Sequence, residues 1–345
     1  MFALVQTWWK RNLINPTEQL GILVHVTGDR IGDALIKWPA IVALKNAFPA
    51  HRLVWLAGLR KSVFNGTLAS VAAGVIDEVH DFAGVGVSWS ELFRPPFPGN
   101  FDILISTEPK IRNAVLLRRI AHNVFISPAA NFLLSDIKPR PGTKFPSSIF
   151  DQMCCLANLA AGRELRVDAT IAVGGENQKL AHELLPEGFI YIGFVPGSGG
   201  ARKRWPLERY IELALNQVVH GRIPVFFLGP DELSMQEEIA RAVPKALFPE
   251  QEAFANQKGS ALLSIALAQR IALGVANDAG GGHLLGAGGR PLITLFGRTS
   301  AHKFKPPYCK QIAITAQEFG GTEMELIPVS RVALAIEAVI GGVEH

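Results

Sequence analysis

Short runs of apolar residues recur along the chain, and between them lie longer stretches whose apolar residues return every three to four positions. The runs GILVHV (21–26), RLVWLAG (52–58), VIDEVHDF (75–82), FDILIST (101–107) and NVFIS (123–127) predict strands, several of them buried on both faces. The stretches DALIKWPAIVALKNAF (33–48) and KIRNAVLLRRIA (110–121) predict helices, with Pro39 near a turn or kink. Residues 129–170 are less regular and carry the loop-like KPRPGTKFP. The rhythm then restarts. Strands are predicted at 189–197, 223–229, 271–276 and 291–297, and helices at 206–219, 234–243, 260–270, after 280 and at 330–342. Alternation of this kind predicts an α/β fold with parallel sheets covered by helices on both faces. The two rhythms predict two domains, 1–172 and 173–345, with the closing helix free to pack back on the first.

Length supports that division, because 345 residues exceed what one hydrophobic core normally organises. An apolar content of 48% with 19% charged residues excludes a disordered chain. The formal net charge of +4 suits an anionic ligand or membrane surface. It is too small and scattered to indicate nucleic acid, and no nucleic-acid-binding motif is present. Three cysteines, Cys154, Cys155 and Cys309, form neither a disulfide framework nor a zinc-ligand spacing, which predicts a reducing, cytoplasmic compartment. The opening MFALVQTWWKRNLINP is too short in apolar residues to span a bilayer. It reads either as a docked or frayed terminus or as a peripheral membrane contact. In the second case Trp8 and Trp9 lie at the headgroup boundary and Lys10 and Arg11 face anionic lipid.

Three stretches carry candidate chemistry. In VANDAGGGHLLGAGGRPLITLFG (275–297), Asp278 and three glycines fill the gap between a strand and a helix. Amides at a helix start carry partial positive charge, and glycines allow a phosphate to approach them. The same residues also make an ordinary capped turn, and His283 alone reads more readily as structural. In FVPGSGGARKRWPLERY (194–210), Gly197, Ser198 and Gly199 offer backbone donors and Lys203 a point charge, a phosphate-binding layout that is not a Walker A loop. A surface basic loop is the plain alternative. In VTGDRIGDALIKWPAIVALKNAFP (26–49), Asp33 stands at a helix start, either as a general base facing a cleft or as a cap. Asp29 shares the ambiguity. No Asp-x-Asp tripeptide occurs, so a metal-held diphosphate has no obvious basis in the sequence.

Taken in order, these stretches resemble the lipopolysaccharide heptosyltransferase family, glycosyltransferase family 9. The resemblance rests on GDALIKWPAIVALKNAFP (32–49), on PGSGGARKRWP with Lys203, Trp205 and Pro206, and on FFLGPDE (226–232). It is completed by the Asp278, Gly280, His283 spacing before a strand ending Phe296-Gly297. It implies a GT-B fold, two Rossmann-like domains with parallel sheets facing a central cleft. It also implies inverting, metal-independent sugar transfer without a cofactor, from a nucleotide-sugar that is usually ADP-heptose, to a lipopolysaccharide-core or other anionic glycan or glycolipid acceptor. Carried onto this chain, Asp33 becomes the base. Gly197, Ser198 and Lys203 stabilise the departing diphosphate. Asp278, Gly280, Gly281 and Gly282 hold sugar and phosphate, supported by His283, while Asp231 or Glu232 binds the ribose. Arg60, Lys61, Lys110 and Arg112 are assigned to the acceptor on charge and position. The sequence departs from the family pattern at Ala279, where Ser or Thr is usual, at Gly281, often Pro, and at Lys37 and Trp38. Two other classes stay open: a GT-B-like sugar-nucleotide epimerase or hydrolase, and a non-catalytic nucleotide-sugar-binding member. The oligomeric state is not fixed by the sequence.

Overall fold

The structure, a computed structural model, describes residues 21–94 and 96–342. The chain divides into two compact units, Met1–Asp168 and Ala169–His345. The expected contact through Trp8, Trp9, Lys10 and Arg11 lies outside the described residues.

The first unit is built on a parallel sheet of β1 (Gly21–Val26), β2 (Arg52–Ala57), β3 (Glu78–His80), β4 (Asn100–Ser106) and β5 (Ala121–Ile126), in the order β3-β2-β1-β4-β5. The six residues of β1 are all buried, as its largely apolar run suits in a strand covered on both faces. Helix α1 (Ile31–Ala47) follows β1 and runs through Pro39 without ending. Ala34, Leu35, Ile36, Trp38, Ala40 and Ile41 are buried around it, so packing on nearly every side overrides the proline's local cost. Helix α2 (Ile111–Leu117) covers the face formed by Leu23, Val54, Leu56 and Leu104. The irregular segment holds an unpredicted helix, α3 (Ile149–Ala161), packed on α1. Its signals were present: the Ser148 side chain accepts from Asp151 N, and Gly162 ends it in the left-handed conformation at φ 65°.

The second unit contains α4 (Gly175–Leu184), β6 (Tyr191–Val195), α5 (Leu207–Val219), β7 (Ile223–Phe226), α6 (Gln236–Ala242), α7 (Pro249–Ala255), α8 (Ala261–Ala268), β8 (Leu273–Asn277), α9 (Gly280–Gly286), β9 (Leu292–Phe296), β10 (Gln311–Thr315) and α10 (Val329–Ile340). Its sheet is parallel, in the order β10-β9-β8-β6-β7. The closing helix α10 packs within this unit. Val332, Ala335 and Ile336 join its core, and Arg222 forms a two-pronged ion pair with Glu337 at 2.5 and 2.7 Å. All three cysteines are free, and burial raises the Cys154 and Cys309 thiols to about 12.

Both sheets reverse direction once. In the first, the chain moves outward from β1 to β3 and returns beside β1 as β4; in the second, β8 returns beside β6. Such reversals open a crevice at the carboxyl ends of the two diverging strands, the usual ligand position in open α/β sheets. The loops after β1, β4, β6 and β8 therefore matter most. One of them is set by close backbone contact. A Cβ on Gly282 would lie 2.8 Å from the Asn277 carbonyl oxygen, which is backbone and cannot swing away. Gly282→Ala should therefore cost roughly 1–3 kcal/mol. Gly200→Ala, with nothing within 4 Å of the added carbon, should cost well under that. Urea unfolding of the two variants beside the parent measures the contrast.

Candidate active site

At the second unit's crevice, Lys203 and Asp278 come together from segments 75 residues apart. The Lys203 ammonium lies 3.3 Å from the Asp278 carboxylate; the lysine is partly exposed and the aspartate almost fully buried. Their spacing is fixed by Asn277, the last residue of β8. Its Oδ1 accepts from Trp205 N at 3.1 Å, and its Nδ2 donates to Pro196 O at 2.9 Å and Gly197 O at 3.3 Å. Trp205 is itself fully buried, edge-on to Tyr210, with its indole N–H donating to Ile327 O at 3.0 Å. The Lys-x-Trp-Pro motif thus works as an anchor, Trp205, holding a cation two residues before it.

The remaining donor-side candidates divide by role. Ser198 donates to Gly200 O at 2.7 Å, closing its own loop. Glu232 is buried, and Arg204 reaches it at 3.4 Å, while Asp231 is exposed. A Cβ on Gly197 would lie 2.6 Å from the Glu232 carboxyl carbon, so the glycine is required by that packed side chain whatever else its amide does. Gly280, Gly281 and Gly282 form the first turn of α9, and the preceding Ala279 supplies no side-chain cap. Gly281 sits against Val195, which leaves no room for a ring or methyl there. His283 is buried in the same helix. Among the described residues no three His, Cys, Asp or Glu side chains group as a metal site.

In the first unit, two aspartates four positions apart have opposite fates. Asp29 is buried and fully engaged: it accepts from Trp55 Nε1 at 2.8 Å, from Ser62 Oγ at 3.0 Å and from Val63 N at 2.8 Å. It ties the loop after β1 to the loop after β2. Asp33, in the first turn of α1, is half-buried and makes no hydrogen bond or ion pair with any described residue. Across the crevice, Glu108 accepts from Thr27 N at 3.1 Å and pairs with Lys110 at 3.1 Å. Burial pushes the Glu108 carboxyl up, but the bonds from Thr27 and Lys110 outweigh it and hold the group below the usual range. Arg60 and Lys61 are exposed in the turn after β2, and Arg112 lies over the Trp89 ring at 5.2 Å. Lys37, one helical turn beyond Asp33, faces the same way as that carboxylate without pairing to it.

Beneath this edge lie two polar groups the sequence did not flag. His25 of β1 and Ser106 of β4 are register partners and fully buried. Neither imidazole nitrogen nor the Ser106 hydroxyl has a hydrogen-bond partner among the described residues. Burial lowers the His25 pKa to about 4, Glu108 opposing and Lys110 and Lys37 reinforcing the shift. The ring is therefore neutral near pH 7.

Two tests follow from this geometry. Asp29→Ala strands several buried donors and should lose about 3 kcal/mol or more of stability, whereas Asp33→Ala should lose less than about 1; denaturant unfolding distinguishes them. His25 takes up its proton at 6.5 when unfolded and only near 4 when folded. Its contribution is present above pH 6.5 and lost as pH falls toward 4, because the unfolded chain binds the proton first. The total is on the order of 3 kcal/mol. In His25→Leu the loss of stability across pH 6.5–4 should be shallower than in the parent; identical profiles would show that the ring is not held neutral.

With this geometry in hand, comparison with known proteins is informative. The chain matches the model of glycosyltransferase family 9 (heptosyltransferase) over residues 97–325. It is 35% identical over 126 residues to lipooligosaccharide heptosyltransferase 2 of Haemophilus influenzae. That alignment covers 36% of this chain and 35% of the relative, so it spans about a third of the relative's length. Among solved structures it is similar to the glycosyl transferase family 9 protein of Veillonella parvula DSM 2008, with a TM-score of 0.67 and 21% identity over 95% of this chain and 99% of that one. It is similar also to E. coli heptosyltransferase WaaC with ADP-2-deoxy-2-fluoro heptose, with a TM-score of 0.65 and 19% identity over 92% and 99%. These likenesses agree with the two Rossmann-like parallel sheets expected of a GT-B protein. The family model covers well over half of the chain, including β6, β8 and the Lys203–Asp278 pair, and the chain belongs to glycosyltransferase family 9 (heptosyltransferase).

Proposed function

We propose that this protein transfers a sugar, heptose or a close relative, from a nucleotide donor to a hydroxyl of an anionic surface glycan such as a lipopolysaccharide core. The observation that carries this reading is the Lys203–Asp278 pair at the switch crevice of the second sheet in a chain of this family. A lysine pinned by a buried carboxylate offers a fixed positive charge where a diphosphate leaves, and the uncapped first turn of α9 adds amides beside it. Glu232, packed between the loops after β6 and β7, is the candidate for a ribose hydroxyl, with Asp231 exposed next to it. The donor we favour is ADP-linked, since WaaC was solved with an ADP-heptose analogue.

In this reading Asp33 accepts the proton of the acceptor hydroxyl. The oxygen attacks the anomeric carbon from the face opposite the nucleotide, the carbon–oxygen bond to the diphosphate breaks, and the configuration inverts. A carboxylate with no partner among the described residues is suited to that work, because no internal bond to them need be broken first. The diphosphate's charge is met by Lys203 and backbone amides, so we propose that neither a metal nor a cofactor is needed. Arg60, Lys61, Lys110 and Arg112 supply positive charge toward an anionic acceptor. No helix among the described residues is long and apolar enough to cross a membrane, and we propose a cytoplasmic site of action.

Transfer from ADP-heptose, followed by mass spectrometry of the product, tests the reading. Asp33→Ala should lower kcat by roughly 10²–10⁴ with nucleotide-induced thermal stabilisation unchanged. Lys203→Ala should lower the rate by about 10²–10³ and weaken that stabilisation as well. EDTA should leave the rate unaltered. A rate insensitive to Asp33→Ala would sink the assigned base, and full-rate donor consumption without acceptor would favour an epimerase or hydrolase.

A further inference from the structure

The first unit carries an exposed apolar surface that the transfer reading does not use. Between β3 and β4, Phe82, Val87, Trp89 and Phe93 are 66%, 64%, 56% and 86% exposed. Scattered apolar residues on a surface are ordinary, but two phenylalanines, a tryptophan and a valine within one short segment are not.

The segment is constructed, not loose. Trp89–Leu92 forms a 3₁₀ turn closed by a capping box, in which Glu91 accepts from Ser88 N at 2.7 Å and from Gly86 N at 2.9 Å. Trp89 is steadied from one side by the Arg112 guanidinium and still keeps half its surface in solvent. Phe82 adopts φ 52°, a left-handed conformation that bulky L residues rarely take, while its N–H bonds to Arg60 O. The backbone is thus held so that these rings face outward.

The charges around the rings favour one partner. Arg60, Lys61 and Arg94 are exposed beside them, and Arg112 lies under Trp89. The acids of the same segment are half-buried and hydrogen-bonded: Glu91 accepts from backbone amides, and Asp81 accepts from Ser62 N and from Asn65 Nδ2. Outward aromatics beside four cations and two half-buried carboxylates match the boundary of an anionic bilayer, with rings at headgroup depth and guanidinium and ammonium groups among lipid phosphates.

We propose that the segment between β3 and β4, with the turn after β2, seats this protein on an anionic lipid bilayer. The seat shares Arg60, Lys61 and Arg112 with the acceptor reading, but its aromatic part is its own, and lipid binding is read without donor or acceptor.

Flotation of the full chain with phosphatidylcholine vesicles, with and without phosphatidylglycerol, is the test. Binding is expected to vesicles containing phosphatidylglycerol and to weaken as salt is raised. Trp89→Ser/Phe93→Ser should reduce partitioning at least about tenfold with an unchanged melting temperature. Arg94→Glu should weaken binding only where phosphatidylglycerol is present. Failure of the parent to bind at low salt would overturn the proposal, as would undiminished binding of the double variant. Loss of binding in Trp8→Ser/Trp9→Ser alone would move the contact to the N-terminal segment. Sedimentation showing a dimer that the Trp89/Phe93 variant dissolves, without vesicle binding, would assign the surface to a second copy.

Discussion

One buried amide holds the second unit's crevice together. Asn277 ends the central strand of the second sheet with its side chain turned across the crevice, where it engages the loop after β6 by both oxygen and nitrogen. An aspartate in its place would have no N–H for the two carbonyls, and a leucine would leave three backbone groups unpaired in a dry interior. Because Trp205 N is one of those groups, the same amide sets where the preceding lysine reaches. The Lys203–Asp278 pair depends on it, although Asn277 itself is fully buried and meets no solvent.

The glycines around this amide show how close packing and ligand chemistry overlap in one sequence. A Gly-rich turn between strand and helix suggests phosphate, yet Gly282 is demanded by the Asn277 carbonyl and Gly197 by the Glu232 side chain. Gly281, where the family often has proline, is pressed on Val195. Composition alone does not separate these causes; the partner atoms do. The same holds for Asp29 and Asp33, which look alike in sequence. One is consumed by three side-chain and backbone donors, and the other has no partner among the described residues.

Much of the fold was legible because parallel strands buried on both faces print themselves as largely apolar runs, as in β1, β6 and β9. The edge strands β3, β5 and β7 were also found, though less sharply, and β10 was missed. β3 occupies only Glu78–His80 of a longer apolar run, and β10, QIAIT, is half exposed at the end of its sheet and looks like loop. α3 was hidden behind a proline-rich approach despite its caps. At the site, Asp33, Lys203 and Asp278 stand in recognisable local patterns. Glu108, Thr27 and Asn277 do not, since their partners are about 70 to 80 residues away and meet them only through the parallel pairing of β1 with β4 and of β6 with β8.

The loop after β6 combines these constraints in a way that bears on how the protein can diverge. Its two ends are fixed, by Glu232 against Gly197 and by the buried Trp205, while Gly199 and Gly200 between them have open space beside them. Side chains can be introduced at those two positions without disturbing the packed frame. The stretch can therefore change its shape and polarity one substitution at a time while the packed frame beneath it keeps its geometry.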